Sequence, residues 1–169
     1  TGALSALDEY IGASGTGTFN QDGGTNTVTD WLLLGYGFGD DPGGTGMYTQ
    51  TGGTTTTYRL GLAWDDGTTG TYRLSDSGVL SALDEYIGAS GTGTFNQSGG
   101  TNTTDQLVMG GALSGFDAGA GTYNLSGSGV LSAGDEIVGN YGTGTFNQSG
   151  GTNTLTGKLT LGNVSGGMG

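Results

Sequence analysis

Apolar positions are sparse along this chain, but they recur in a fixed order. Residues Leu4 to Thr27 read LSALDEYIGASGTGTFNQDGGTNT, and residues Leu80 to Thr103 repeat them with Ser98 in place of Asp22. A third copy, Leu131 to Thr154, reads LSAGDEIVGNYGTGTFNQSGGTNT. A finer unit lies inside these copies, marked by Gly-Thr-aromatic or a close variant. Its rings are Phe19, Tyr48, Tyr72, Phe95, Tyr123 and Phe146, at spacings of 29, 24, 23, 28 and 23 residues. Self-similarity at such a period is the mark of a stacked repeat architecture.

Each unit splits into three short strand-like pieces. The first is Gly-Thr-[Phe/Tyr]-Asn-[Gln/Leu]-Ser, as at Gly93 to Ser98. The second, after a Gly pair, is Thr-Asn-Thr or Val-Leu-Ser. The third carries apolar residues before a Gly, as at Tyr86-Ile87-Gly88, Leu107-Val108-Met109-Gly110 and Leu159-Thr160-Leu161-Gly162. Alternation of period 2, with β-branched and aromatic residues bounded by Gly, Asn and Asp, reads as strand. No apolar spacing of 3 and 4 residues competes, and a Gly every few residues would cost a helix about 1 kcal/mol each.

One such unit cannot bury an apolar face alone, but stacked units can, with each strand pairing with its copies at about 4.8 Å. The expected fold is therefore all-β: a parallel β-solenoid, or β-helix, of six to seven coils of 23–29 residues, forming one repetitive domain over residues 1–169. Right-handed winding is the default for parallel crossovers. An antiparallel sandwich with hairpins at the Gly pairs ranks lower, because near-identical pieces recur once per unit. The six rings should form a ladder. Leu74, Leu80, Leu125 and Leu131 should point inward, and Ile11, Leu34, Ile87, Met109, Val138 and Leu161 should line a third wall. Two sets of Asn recur: Asn20, Asn96, Asn124 and Asn147, and Asn26, Asn102 and Asn153. They are either amide ladders or corner residues. The units holding Tyr48-Thr49-Gln50 and Tyr72-Arg73-Leu74 depart from the pattern, so the stack should be irregular there. Residues 31–42 and 107–118 hold the extra length of the longer units and should protrude.

The composition fits a built scaffold. The 169 residues include 41 Gly and 1 Pro, with no Cys and no His. Fifteen acidic residues face three basic ones, for a formal net charge of -12. Nothing is left to neutralise phosphates, which argues against nucleic acid as a partner and against anionic lipid. No run of about 18 apolar residues is present, so no membrane-inserted helix is expected. The first residue is Thr1 rather than Met, which fits a processed or internal segment.

The full pattern, G-T-[YF]-N-[LQ]-S-G-G-x-L-S-A…E-Y-[IV]-G-x-S-G-T-G-T-F-N-Q-S-G-G-T-N-T, resembles repeats of large bacterial exported proteins. These are autotransporter-passenger-like β-solenoids, many of them surface proteins of the PEP-CTERM type. The resemblance covers nearly the whole chain. It implies an extracellular or cell-surface location and a structural role.

Little in the sequence points to catalysis. The absence of His and Cys removes the commonest general base and the thiol nucleophile, and Ser has no His for a triad. The expectation is that the chain is not an enzyme and binds no organic cofactor. Carboxylate pairs are the one suggestive feature: Asp8-Glu9, Asp40-Asp41, Asp65-Asp66, Asp84-Glu85 and Asp135-Glu136. Calcium takes several carboxylate and carbonyl oxygens at about 2.3–2.6 Å, so these ten residues are candidate calcium ligands. Solvated acidic corners are the plain alternative. Neighbouring residues on a strand face opposite ways, so no sequential pair makes a hydrolase site by itself.

Two partner readings follow. In the first, uncapped coil ends pair head to tail with further copies of the chain, giving a fibre, surface layer or matrix. In the second, the chain is an adhesin or carbohydrate-binding stalk whose Tyr10, Trp31, Tyr36, Trp64, Tyr86 and Tyr141 stack on surface glycans. Clustered rings favour the second and scattered rings a plain scaffold. A polysaccharide-degrading enzyme ranks third.

Overall fold

A computed structural model describes residues 2–37, 43–111, 118–163 and 167–169. Its strands are β1 (Ala3–Ala6), β2 (Glu9–Ala13), β3 (Thr16–Tyr36), β4 (Thr45–Leu62), β5 (Thr69–Leu74), β6 (Val79–Ile87), β7 (Thr92–Gln97), β8 (Thr101–Met109), β9 (Ala120–Leu125), β10 (Val130–Val138), β11 (Thr143–Gln148), β12 (Thr152–Leu155) and β13 (Leu159–Leu161). All pairings between these strands are parallel. The chain is an all-β parallel solenoid of about six turns.

Each turn has three walls, one for each strand-like piece of the repeat. In the first wall, β5 stacks on β4 and β7 on β5, residue for residue, followed by β9 and β11. The six rings stand in one file. Their centroids are 4.8, 4.8, 4.9, 4.6 and 5.3 Å apart. That is close to the strand spacing of about 4.8 Å, so backbone pairing alone sets the ring separation. In mid-stack Tyr48, Tyr72, Phe95 and Tyr123 lie within 4–6° of parallel and are wholly buried. Leu80 and Leu131 fill the second wall. Ile11, Leu34, Leu62, Ile87, Met109 and Val138 fill the third.

Two expectations change. The stack is irregular where the Tyr48 unit meets the Phe19 unit, but not at the Tyr72 unit: Tyr48, Thr49 and Gln50 sit directly under Tyr72, Arg73 and Leu74. Outward positions tolerate Thr, Arg or Asn, so the sequence departs while the register holds. The shifts lie between β3 and β4. There Thr29 and Asp30 together turn a corner that Tyr58 turns alone. Of the segments expected to protrude, Trp31–Tyr36 belongs to β3 and Leu107–Met109 to β8, because their Leu and Met side chains are third-wall core. The rest of those segments, residues 38–42 and 112–117, lie outside the described residues.

The third wall ends in a left-handed residue that turns the chain back into the first wall. It is Gly12, Gly35, Gly88, Gly110, Gly139 or Gly162 in six places, but Ala63 in one, with φ 56°. A Cβ at Gly88 would run into the Ala120 carbonyl of the coil above. An L-residue in this conformation carries a strain of roughly 1–2 kcal/mol. The two substitutions should therefore act with opposite sign. Gly88→Ala should lower stability by more than ~2 kcal/mol, whereas Ala63→Gly should leave it unchanged or raise it by up to ~1 kcal/mol. Denaturant midpoints at fixed pH check this, and equal losses would remove the strain from Ala63.

Candidate functional site

Two regions carry chemistry beyond plain packing, one inside the solenoid and one on its outer face. Inside, two kinds of coil are stacked. Coils with Tyr72 or Tyr123 in the first wall have Leu80 or Leu131 in the second and Glu85 or Glu136 in the third. Coils with Phe19, Phe95 or Phe146 instead have Gln21, Gln97 or Gln148, then Asn26, Asn102 or Asn153, then a third-wall Leu. Polar groups of one kind of coil therefore meet partners in the other.

Asn102 Nδ2 donates to Glu85 Oε2 in the coil below (3.1 Å) and to Tyr123 Oη in the coil above (3.2 Å). Tyr123 Oη donates to Gln97 Oε1, and Gln97 Nε2 donates to the Val130 carbonyl at 2.9 Å. Near the other end Asn26 Nδ2 donates to Glu9 Oε2 (2.7 Å) and Tyr48 Oη (3.2 Å). Tyr48 Oη donates to Gln21 Oε1 at 2.7 Å. Glu85 is fully buried and Glu136 is 1 % exposed. Burial pushes the Glu85 carboxyl up to about 8, against a smaller opposing effect of its Asn102 hydrogen bond. Burial also raises Glu9 and Glu136, opposed by Asn26 and Asn153.

This places the candidate calcium ligands. Strand alternation splits each Asp-Glu pair: the Glu enters the core and the Asp stays outside. Asp8 Oδ1 accepts from the Trp31 amide (3.2 Å) and Asp135 Oδ1 from the Lys158 amide (2.7 Å), so both cap a corner of the next coil. Asp84 lies 3.9 Å from Arg59 Nε. Its carboxyl is nevertheless raised, because desolvation outweighs the Arg59 charge. Asp65 and Asp66 hold turns: Asp65 Oδ2 accepts from the Gly37 amide and Asp66 Oδ1 from the Gly67 amide, both at 2.9 Å. Asp40 and Asp41 lie outside the described residues. Among the described residues no three acidic side chains converge on a common point.

The Asn sets divide as well. Asn96, Asn124 and Asn147 form an amide ladder, each link 2.9 Å long. Asn26, Asn102 and Asn153 form neither a ladder nor a corner. They alternate with Thr55, Leu80 and Leu131 on the inner face.

On the outer face of the third wall, the outward row runs Tyr10, Leu33, Gly61, Tyr86, Val108, Ile137. Gly61 leaves a gap in it. A Cβ there would stand 2.5 Å from Leu33 Cδ2 and 3.0 Å from Trp64 Cε3, so the Trp64 ring folds into that space. Trp64 packs edge-on against Trp31 at 4.5 Å and against Tyr86 at 5.7 Å. Tyr10 meets Tyr36 at 5.3 Å. The Arg59 guanidinium lies 4.9 Å over Trp31 and 4.6 Å over Tyr58, and its Nη1 is 3.2 Å from Asp30 Oδ1. Tyr10, Trp31, Leu33, Tyr36 and Trp64 line an open cleft of about 200 Å³. Five of the six rings singled out from the sequence are gathered here. Of these, Tyr86 packs against Trp31 and Trp64 without lining the cleft, at 4 % exposure. Tyr141 lies elsewhere, against Gly111. The signal that would have located the patch is the parity of Tyr10, Leu33 and Tyr86 relative to inward Ile11, Leu34 and Ile87.

Comparison of the chain with protein-family models, with curated proteins and with solved structures finds no match.

The chain has two tryptophans, and both are in this patch. Their separation and tilt should give an exciton couplet in circular dichroism. Trp31→Phe and Trp64→Phe should each abolish it while leaving the β-sheet spectrum intact. A couplet that survives either substitution would overturn the packing described.

Proposed function

We propose that the chain is a structural segment of a longer β-stack, in an extracellular fibre, surface layer or matrix. The observation that carries this reading is the match between its two end faces. The terminal coil at one face carries Leu4, Glu9 and the buried Ile11, the pattern of Leu131, Glu136 and Val138. The other presents Asn153, Leu159 and Leu161, the pattern of Asn102, Leu107 and Met109. Setting the first face on the second would repeat the contact between β8 and β10. Leu4, Leu159 and Leu161 are 42 %, 57 % and 63 % exposed, and the outer edges of β1, β2, β12 and β13 have no strand partner among the described residues, whereas Met168 bridges to Thr143 on β11. Such edges template further strands. The next coil belongs either to the same polypeptide or to a second copy. The extracellular placement rests on the resemblance to bacterial exported solenoids, and the role is one of scaffold rather than enzyme.

Electron cryo-microscopy of the purified chain, with calcium and then with a chelator, tests assembly between copies. Expected are filaments with an axial strand repeat near ~4.8 Å. Discrete particles at every concentration would defeat copy-to-copy stacking. Filaments lost only in chelator would give the outer aspartates a cation-binding role.

The aromatic cleft favours a second reading, a glycan-binding stalk. Flat rings offer apolar faces to sugar C–H groups, and the Arg59, Asp30 and Asp84 cluster at the margin offers hydrogen bonds to hydroxyls. Titration with neutral oligosaccharides should quench tryptophan fluorescence, and Trp31→Ala should abolish binding with the fold retained. An unchanged response in that variant, or no response in the parent chain, would remove this reading.

A further inference from the structure

The core glutamates leave a hydrogen-bond account that does not close. Asn102 Nδ2 donates to Glu85 Oε2, but Glu85 Oε1 and Asn102 Oδ1 are both buried with no partner. The same two atoms, Glu136 Oε1 and Asn153 Oδ1, are without partners in the next pair, and so is Asn26 Oδ1 beside Glu9. Buried acceptors left unmatched are costly, and native folds rarely keep them. Here they recur as neighbours, two at a time, in a repeated place.

Turning the amide over does not help. Tyr123 spends its single hydroxyl proton on Gln97 Oε1, so its oxygen needs a donor, and Asn102 Nδ2 is that donor. Tyr48, Gln21 and Asn26 fix the first pair in the same way. Among the groups that act on Glu85 there is no cation: burial and Asn102 are the influences on it. The titratable groups facing it across the core are the phenols of Tyr72 on β5 and Tyr123 on β9, both neutral and pushed up by burial. The residues stacked below and above it, Leu60 on β4 and Leu107 on β8, are apolar. Arg59 is engaged on the outer face with Asp30 and Asp84.

We infer that the core glutamates are neutral carboxylic acids, each closing a two-hydrogen-bond ring with the carboxamide of the asparagine 17 residues ahead. In each ring the Asn Nδ2 donates to Glu Oε2 and the Glu Oε1–H donates to Asn Oδ1. One proton satisfies both orphaned atoms. The chain has three glutamates, and all of them occupy this place, whereas its other acids are aspartates. The pairs tie each Glu coil to the Asn coil that follows, so they also set the order in which coils stack.

The consequence for pH has a definite sign. A glutamate that keeps its proton in the folded chain and loses it near ~4.3 when unfolded gives stability that is complete below that value. This stability is lost as pH rises, until the folded chain itself deprotonates. For Glu85 the window runs from ~4.3 to about 8. Across it the folding constant should fall by a factor on the order of 10³ from this residue.

The test is carbon-13 spectroscopy of the whole chain labelled at the glutamate δ carbons, which yields three carboxyl signals. The Glu85 and Glu136 signals should remain in the protonated position at pH 6. Titration of both near ~4.3, the free-glutamate value, would overturn the proposal. Glu85→Gln supplies a second readout, since a carboxamide can donate and accept as the protonated acid does. Its denaturant midpoint should match the parent chain at pH 4 and exceed it at pH 8. A variant-minus-parent gap independent of pH, or one that turns against the variant between pH 4 and pH 8, would refute the neutral pair.

Discussion

The structure depends on one constraint: each strand pairs in parallel, and in register, with the copy of itself one coil away. That pairing fixes a spacing of about 4.8 Å, and side chains at equivalent positions must then be compatible with themselves at that distance. Aromatic rings are, which is why six of them can stand in file with centroids 4.6–5.3 Å apart. Leucine and isoleucine also are. Buried carboxyls are not, because each needs a partner of another kind, and the third wall answers this by alternation: Leu60, Glu85, Leu107 and Glu136 succeed one another. No two glutamates are stacked directly. On the outside the same rule brings Arg59 next to Asp84, then Asp84 next to Gln106 and Gln106 next to Asp135.

The alternation explains a feature of the repeat that the ring spacing hides. The true structural period in much of the stack is two coils, a Tyr-Leu-Leu-Glu coil and a Phe-Gln-Asn-Leu coil. Tyr123 needs an acceptor and a donor for its hydroxyl, and Gln97 and Asn102 in the neighbouring coil provide them. A Phe in its place would strand both amides, and a Tyr at Phe95 would bring a further buried hydroxyl. The coil with Tyr48, Gln50 and Thr55 is the exception that proves adaptable. Its Thr55 hydroxyl bonds both Tyr48 and Gln21, and Gln50 accepts from Tyr72, so two Tyr coils can follow in succession.

Most of the fold was legible in the sequence, because in-register stacking turns repetition directly into contact. The three walls, the ring file and the inward Leu, Ile, Met and Val positions all follow from aligning the units. The inner polar spine was also within reach. Ile11, Ile87 and Val138 were read as inward, and Glu9, Glu85 and Glu136 lie two residues before them, so alternation places them inward too. Adjacent acids nevertheless look like one surface cluster, and that impression hid the split. The outer cleft was legible only in part. The parity of Tyr10, Leu33 and Tyr86 points outward, but Trp64 sits past a corner. Its return over Gly61 depends on a missing side chain there and on the left-handed Ala63 two residues later in the same coil. Such tertiary folding-back leaves no period to read.

The division of acids between the two faces is the point where sequence, stability and role meet. Among the described residues, aspartates lie outside or at corners, where short carboxylates accept backbone amides, as Asp8 and Asp135 do. There they supply negative charge that opposes sideways association of an exposed β-stack. Glutamates are one methylene longer and reach across the core to an amide in the next coil. A stack of this design is guarded against lateral pairing by its outer charge and ordered along its axis by its inner polar pairs. Sideways repulsion and axial selectivity together are what the proposed scaffold role would require of the repeat. They also account for two kinds of acid occurring side by side in one dipeptide, Asp84-Glu85, with opposite tasks.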